Sequence, residues 1–138
     1  FFFQPDPAIR DSVASRGLGD VYKRQTLGYN RPLFAHRVQD ILSTIRMIQD
    51  DTHGAKKISL VGLKGSGHWA AAANFLAGKA IHRAAIESSG FEFIKVPDIR
   101  HPDLMPGAAK YGGMKGLLEL ASTRAWNIDA DGLPEWLK

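Results

Sequence analysis

The chain predicts an α/β fold, a partial parallel sheet with flanking helices, and three observations carry that prediction. An amphipathic helical stretch precedes a short apolar run. A glycine-rich turn joins that run to an alanine-rich helix. A second apolar run follows, so the order is helix, strand, turn, helix, strand, which favours parallel strands joined by a right-handed crossover.

Residues 1–25 show no sustained period, and their Gly, Pro, Ser and charged residues read as a disordered N-terminal segment. From there the pattern sharpens. Leu33, Phe34, Val38, Ile41, Leu42, Ile45 and Ile48 recur at three- and four-residue intervals, predicting a helix over 32–50. Pro32 suits its first turn, Asn30 suits a cap just outside, and Gly54 suits the left-handed ending. "KKISLVGL" (56–63) predicts a buried parallel strand, "HWAAAANFLAG" (68–78) a compact helix stopped by Gly78, and "HRAAIESSG" (82–90) a second parallel strand. Three prolines and three glycines between 91 and 113 predict a long surface excursion with one short helical turn. Lys115–Ala121 predicts a helix and "RAWNID" (124–129) a third strand.

Composition narrows the function classes. The chain has 138 residues, 44% of them hydrophobic and 23% charged, the balance of a soluble globular domain. No apolar run approaches the roughly 20 residues of a membrane-spanning helix. The formal charge of +4 is scattered in pairs such as Lys56-Lys57, not gathered into a stripe, which argues against nucleic-acid binding. Zero Cys excludes disulfides, thiolate metal sites and a Cys nucleophile, and leaves the compartment unassigned.

The informative stretch is "ISLVGLKGSGHWAAA" (58–72). A glycine-rich turn between strand and helix has two common uses. In a dinucleotide-binding turn, glycines let a pyrophosphate approach the helix N-terminus. Gly62, Gly65 and Gly67 would form it, and Glu87, ending the next strand, falls where a ribose-binding carboxylate belongs. In a nucleophile elbow, G-x-S-x-G, a strained turn exposes a Ser at the helix head. With Gly62 as the first glycine, the nucleophile position is Lys64 and the last glycine position is Ser66. The spacing is elbow-like, but the chemistry is replaced.

Four segments, "GYNRPLFAHRVQDILSTI", "KKISLVGLKGSGHWAAAANFLAG", "AIHRAAIESSGFEF" and "DLMPGAAKYGGMKGLLELAS", resemble the later part of an α/β-hydrolase. The similarity is to the acetyl xylan esterase and dienelactone-hydrolase-like group and spans roughly residues 27–130. It implies a carboxylic-ester hydrolase as parent, acting on a small ester or a carbohydrate acetate without a cofactor or metal. It also implies a triad acid near Asp129 or Asp131, of which Asp131, followed by Gly132 and Pro134, is the better match. The departures are specific. Lys64 stands where the group has Ser, Thr123-Arg124-Ala125 stands where it has P-R-P, and no late His is matched before Lys138. The expectation is an incomplete domain over 26–138, inactive as this chain. Whether an enzyme or a non-catalytic binding domain underlies it stays open, and the dinucleotide-binding fragment remains a further alternative.

Other residues have plainer readings. Lys64 as a Schiff-base nucleophile is weaker than an exposed turn lysine, and Ser66 is expected to cap the helix near His68. Asp98, His101 and Asp103 make a weak metal-loop pattern, and the five histidines show no metal-ligand spacing. Trp69, Phe75 and Trp126 read as packing residues, and Asp129 and Asp131 as turn formers.

"DVYKRQ" (20–25) back-translates to GAT GTG TAT AAG AGA CAG, which resembles a transposon mosaic-end adapter used in sequencing libraries. The neighbouring frame of the same string yields Ile-Arg-Asp followed by Ser or Arg, and Ile-Arg-Asp-Ser stands at 9–12. Residues 1–25 are therefore expected to be non-native, and the fold is argued from Thr26 onward.

Overall fold

The computed structural model describes residues 31–51, 57–99 and 101–137. The N-terminal segment at 1–25, the Asn30 cap and the Gly54 helix ending lie outside those residues.

Helix α1 spans Leu33–Asp50. Its apolar stripe buries Phe34, Val38 and Ile45, while Leu33 and Met47 on other faces stay exposed. Pro32 occupies the cap position, not the first turn, and Asp51 ends the helix in extended backbone. Strand β1, Ser59–Gly62, leads through a tight 3₁₀ turn, Lys64–Ser66, into helix α2, Gly67–Ala77. Gly78 closes α2 with φ of 58°, a conformation that a side chain resists. Strand β2 is Arg83–Ile86. Two 3₁₀ turns, Phe93–Lys95 and Ala108–Tyr111, punctuate the excursion that follows. Helix α3, Gly113–Leu120, then leads to strand β3, Ala125–Asn127, and a single helical turn α4, Ile128–Asp131.

The three strands form a parallel sheet in the order β1-β2-β3. Leu60, Ala84 and Ala125 stand in register, and all three belong to the apolar core beneath the helices. Helix α2 packs on β1 and β2, and α1 and α3 pack on α2. Ala70, Ala71, Ala72 and Ala73 are all buried, so α2 meets its neighbours through small side chains on several faces at once. Asn74, fully buried, donates from Nδ2 to the Thr123 carbonyl at 2.8 Å and ties α2 to the approach of β3.

The result is a small α/β unit with a parallel three-stranded sheet flanked by helices. The expected burial of β1 needs correction. The β1 run reads as fully buried, yet Ser59 is exposed and Leu60 and Val61 are only half-buried. Among the described residues β1 pairs with β2 alone, and the row of Val61, Ala85 and Trp126 alternates away from the row that meets the helices. Trp126, read as packing, is accordingly 43% exposed, with its Nε1–H donated to the Gly132 carbonyl at 2.8 Å.

No helix among the described residues is long and apolar enough to cross a membrane.

Candidate functional site

In open α/β sheets, ligands bind beyond the carboxyl ends of the strands. Three groups of residues gather there.

The first is the turn after β1. Lys64 has φ of 51°, one of only two non-glycine residues with positive φ among those described, and it stands at the position where an elbow holds its nucleophile. Its backbone N–H donates to Glu87 Oε2 at 3.0 Å. Glycine is needed on both sides of the turn for space. A Cβ on Gly62 would lie 2.5 Å from that of Ala70, and a Cβ on Gly67 would run into the Glu87 carbonyl. Gly65, in contrast, has nothing within 4 Å of its Cβ position. The close approach of α2 to the strand ends thus rests on Gly62 and Gly67.

Ser66 does not cap α2. No side-chain cap bond forms, and its Oγ–H instead donates back to the Leu63 carbonyl at 2.8 Å. The preceding 3₁₀ turn already bends the chain, so the hydroxyl closes that turn and does not meet the amides of the next one. Glu87 is likewise engaged in the turn, through Lys64 N–H and, at 3.4 Å, the Ser89 hydroxyl.

The second group is an acid corner after β2. Asp129 Oδ2 accepts from the Ser88 N–H and the Ser88 hydroxyl, both at 2.6 Å, and Oδ1 accepts from the Ser89 N–H at 3.2 Å. The Ser88 hydroxyl is the main influence that holds the Asp129 carboxyl below the usual aspartate range; partial burial opposes it, and the Ser88 and Ser89 amides add to the lowering. Ser89, with φ of 50°, is the other strained residue. Of the two candidate acids it is Asp129 that reaches the strand end. Asp131, two residues on, is exposed and lines an open groove of about 570 Å³ with Arg83, Arg124, Trp126 and Trp136.

The third group has no counterpart in sequence spacing. Asp103 Oδ1 accepts from Arg37 Nη1 of α1 at 3.1 Å and from Trp69 Nε1 of α2 at 3.0 Å. His68 Nε2 lies 3.0 Å from the same oxygen, but obliquely, off the line of a good hydrogen bond. Arg37 also lies over the Trp69 ring at 4.1 Å. His101 Nδ1 accepts the Asp103 N–H at 3.2 Å. Trp69, read as a packing residue, therefore also supplies a hydrogen bond. Phe75 is 39% exposed at the rim of an apolar groove with Tyr111 and Leu117. Among the described residues no group of three or more His, Asp and Glu side chains is arranged to hold a metal ion. Asp103 in the Asp98, His101, Asp103 pattern is committed to Arg37 and Trp69 instead.

Fold and turn together define a class of architecture: a parallel α/β unit with a strained strand–turn–helix junction at the carboxyl edge of its sheet. No family model, curated protein or solved structure matches the chain.

Proposed function

We propose that the chain is an α/β-hydrolase-like unit, of carboxylic-ester-hydrolase type, whose elbow does not perform hydrolysis. The observation that supports this is the backbone of Lys64: a non-glycine residue at φ of 51°, at the tip of a strand–turn–helix junction, carrying an ammonium group where acyl transfer needs a hydroxyl or thiol.

Ester hydrolysis through an elbow requires an oxygen or sulfur nucleophile at the tip, a base to take its proton, and amide donors for the oxyanion. Ser66 is a poor substitute nucleophile, because its Oγ–H is donated to Leu63 within the turn. His68 is the nearest histidine in sequence, and its ring is buried among Phe34, Trp69 and Phe91, not turned toward the tip's solvent side. A carboxylate oxygen of Glu87 already accepts the Lys64 N–H, so a negative charge stands beside the place where an oxyanion would need donors.

A binding role for a small ester or carbohydrate is the second reading. It is favoured by the cost of Lys64's backbone, about 1 kcal/mol or more, which the turn sustains without a nucleophile to present.

The test is hydrolysis of a chromogenic acetate ester by the full chain and by Ser66→Ala. Both are expected to match the buffer blank. Turnover by the chain that Ser66→Ala abolishes refutes the proposal.

A further inference from the structure

His68 is 3% exposed, and its ring is enclosed by aromatic groups from three directions. Phe91 stacks on it with centroids 4.0 Å apart and planes 16° apart, Trp69 lies at 4.8 Å, and Phe34 at 6.0 Å. The post-β2 segment is tied to the helices in two ways: Phe91 rests on His68, and Asp103 bonds to Arg37 and Trp69. His68 Nε2 is buried without an in-line acceptor, although Asp103 Oδ1 is 3.0 Å away.

The charged and titratable groups facing this ring come from each neighbouring element. Arg37 faces it from α1, and Asp103 and His101 from the post-β2 segment. On its own helix His68 is the second residue, at the positive end of the α2 dipole. Its aromatic neighbours Phe34, Trp69 and Phe91 bring no charge. A proton on the ring would therefore be placed out of water, at a helix N-terminus and beside a guanidinium. Asp103 alone opposes these effects, and its oxygen is already shared with two donors. Burial is the dominant cause and holds His68 below the usual histidine range, with Asp103 pulling the other way.

We propose that residues 91–99 and 101–105 form an acid-released cover, closed while His68 is neutral and opened by proton uptake when Phe91 and Asp103 lift from the heads of α1 and α2. The sign follows from linkage. The closed state binds the proton less readily than the open one, so closure is strongest above the ordinary histidine pKa and weakens as pH falls toward the depressed value. Across that window the opening constant rises by up to about tenfold per pH unit. This device does not depend on the reading of Lys64.

Amide hydrogen exchange on the full chain between about pH 7.5 and about pH 5.5, corrected for the intrinsic rate, reads the opening directly. The Val96 N–H, bonded to Phe93, and the Leu104 N–H, bonded to His101, report on the cover, and the Glu87 N–H, bonded to Gly62, reports on the sheet. The opening constants at Val96 and Leu104 are expected to rise severalfold toward acid, ahead of Glu87. His68→Phe keeps a stacking ring and is expected to flatten that response, whereas His101→Gln keeps it. A direct NMR titration of the His68 imidazole needs no variant, and its midpoint is expected below that of the unfolded chain. A flat exchange profile in the unmodified chain, an unchanged profile in folded His68→Phe, or a His68 midpoint at or above the ordinary value overturns the proposal.

Discussion

Substituting alanine for glycine at two positions of one turn separates the packing account of that turn from a merely conformational one. Gly67 has φ of −57° and ψ of −40°, values any residue adopts, so its backbone does not require glycine. Its requirement is space. A methyl group there would run into the Glu87 carbonyl, with the Glu87 carbonyl carbon at 2.7 Å and Ser88 Cα at 3.4 Å. Those atoms are main chain, fixed by the Glu87 N–H bond to the Gly62 carbonyl at 2.8 Å, so no side chain can swing aside. Helix α2 must instead retreat from the strand ends. Overpacking of this kind costs up to about 3 kcal/mol, and alanine's helix preference returns up to about 1 kcal/mol. Gly67→Ala is therefore expected to lose about 2 kcal/mol, lowering the Tm by roughly 8 °C in a domain of this size. Gly65→Ala meets nothing within 4 Å and, by restricting the unfolded chain, is expected to gain about 0.5 kcal/mol and roughly 2 °C. Thermal unfolding followed by far-ultraviolet circular dichroism measures both. Equal Tm values for the two variants would refute the argument that α2 is seated by contact at Gly67.

Three more changes probe the neighbouring groups. Lys64→Val places a β-branched residue at φ of 51° and is expected to cost about 1–2 kcal/mol in a denaturant titration, while Lys64→Gly stays within about 1 kcal/mol of the unmodified chain. Asp103→Ala leaves the Arg37 and Trp69 donors without their shared acceptor and is expected to cost about 2 kcal/mol, with a change in the Trp69 indole N–H resonance as its local signature. Asp129→Asn weakens the hold on Ser88 and Ser89 and is expected to reduce protection of their amides more than that of β2. In the unmodified chain the same contact is acid-sensitive. Because the Ser88 hydroxyl and the two amides depress the Asp129 pKa, the contact's contribution is full above the ordinary aspartate pKa and is lost as pH falls through the depressed value. A pH titration of the Ser88 amide shift that shows no such step would contradict it.

Local order was legible in the sequence because it depends on residues close along the chain. The spacing of Phe34, Val38 and Ile45, four and then seven residues apart, marks the face that α1 buries. The two faces of β1 were not legible, because Leu60 and Val61 are both apolar and the run reads as buried throughout. The polar cluster was not legible, for a reason of geometry. Asp103 lies 66 positions from Arg37 and 34 from Trp69, and these residues meet only because α1 packs beside α2 and the post-β2 segment folds over both. Periodicity predicts elements, not their mutual placement. The same limit applies to Asp129 and Asp131. Their order in the chain does not reveal that Asn127 Oδ1 accepts the Asp129 N–H at 3.1 Å, nor that the turn so formed directs the first carboxylate toward Ser88.

The strained turn after β1 survives lysine at its tip because nothing that shapes the turn uses the side chain of residue 64. Gly62 admits Ala70, Gly67 admits the Glu87 carbonyl, and the Glu87 carboxylate holds Lys64 through its backbone N–H. A serine placed at 64 would keep that N–H and meet the same two glycines, so Lys64→Ser is expected to fold with a Tm within a few degrees of the unmodified chain. That separates two properties usually seen together: the backbone that presents a nucleophile and the chemistry that uses one. If folded Lys64→Ser remains without esterase activity, the deficit lies in the base and the oxyanion donors. Replacing the tip residue restores neither, because His68 stays stacked on Phe91 and Glu87 stays bonded to the turn.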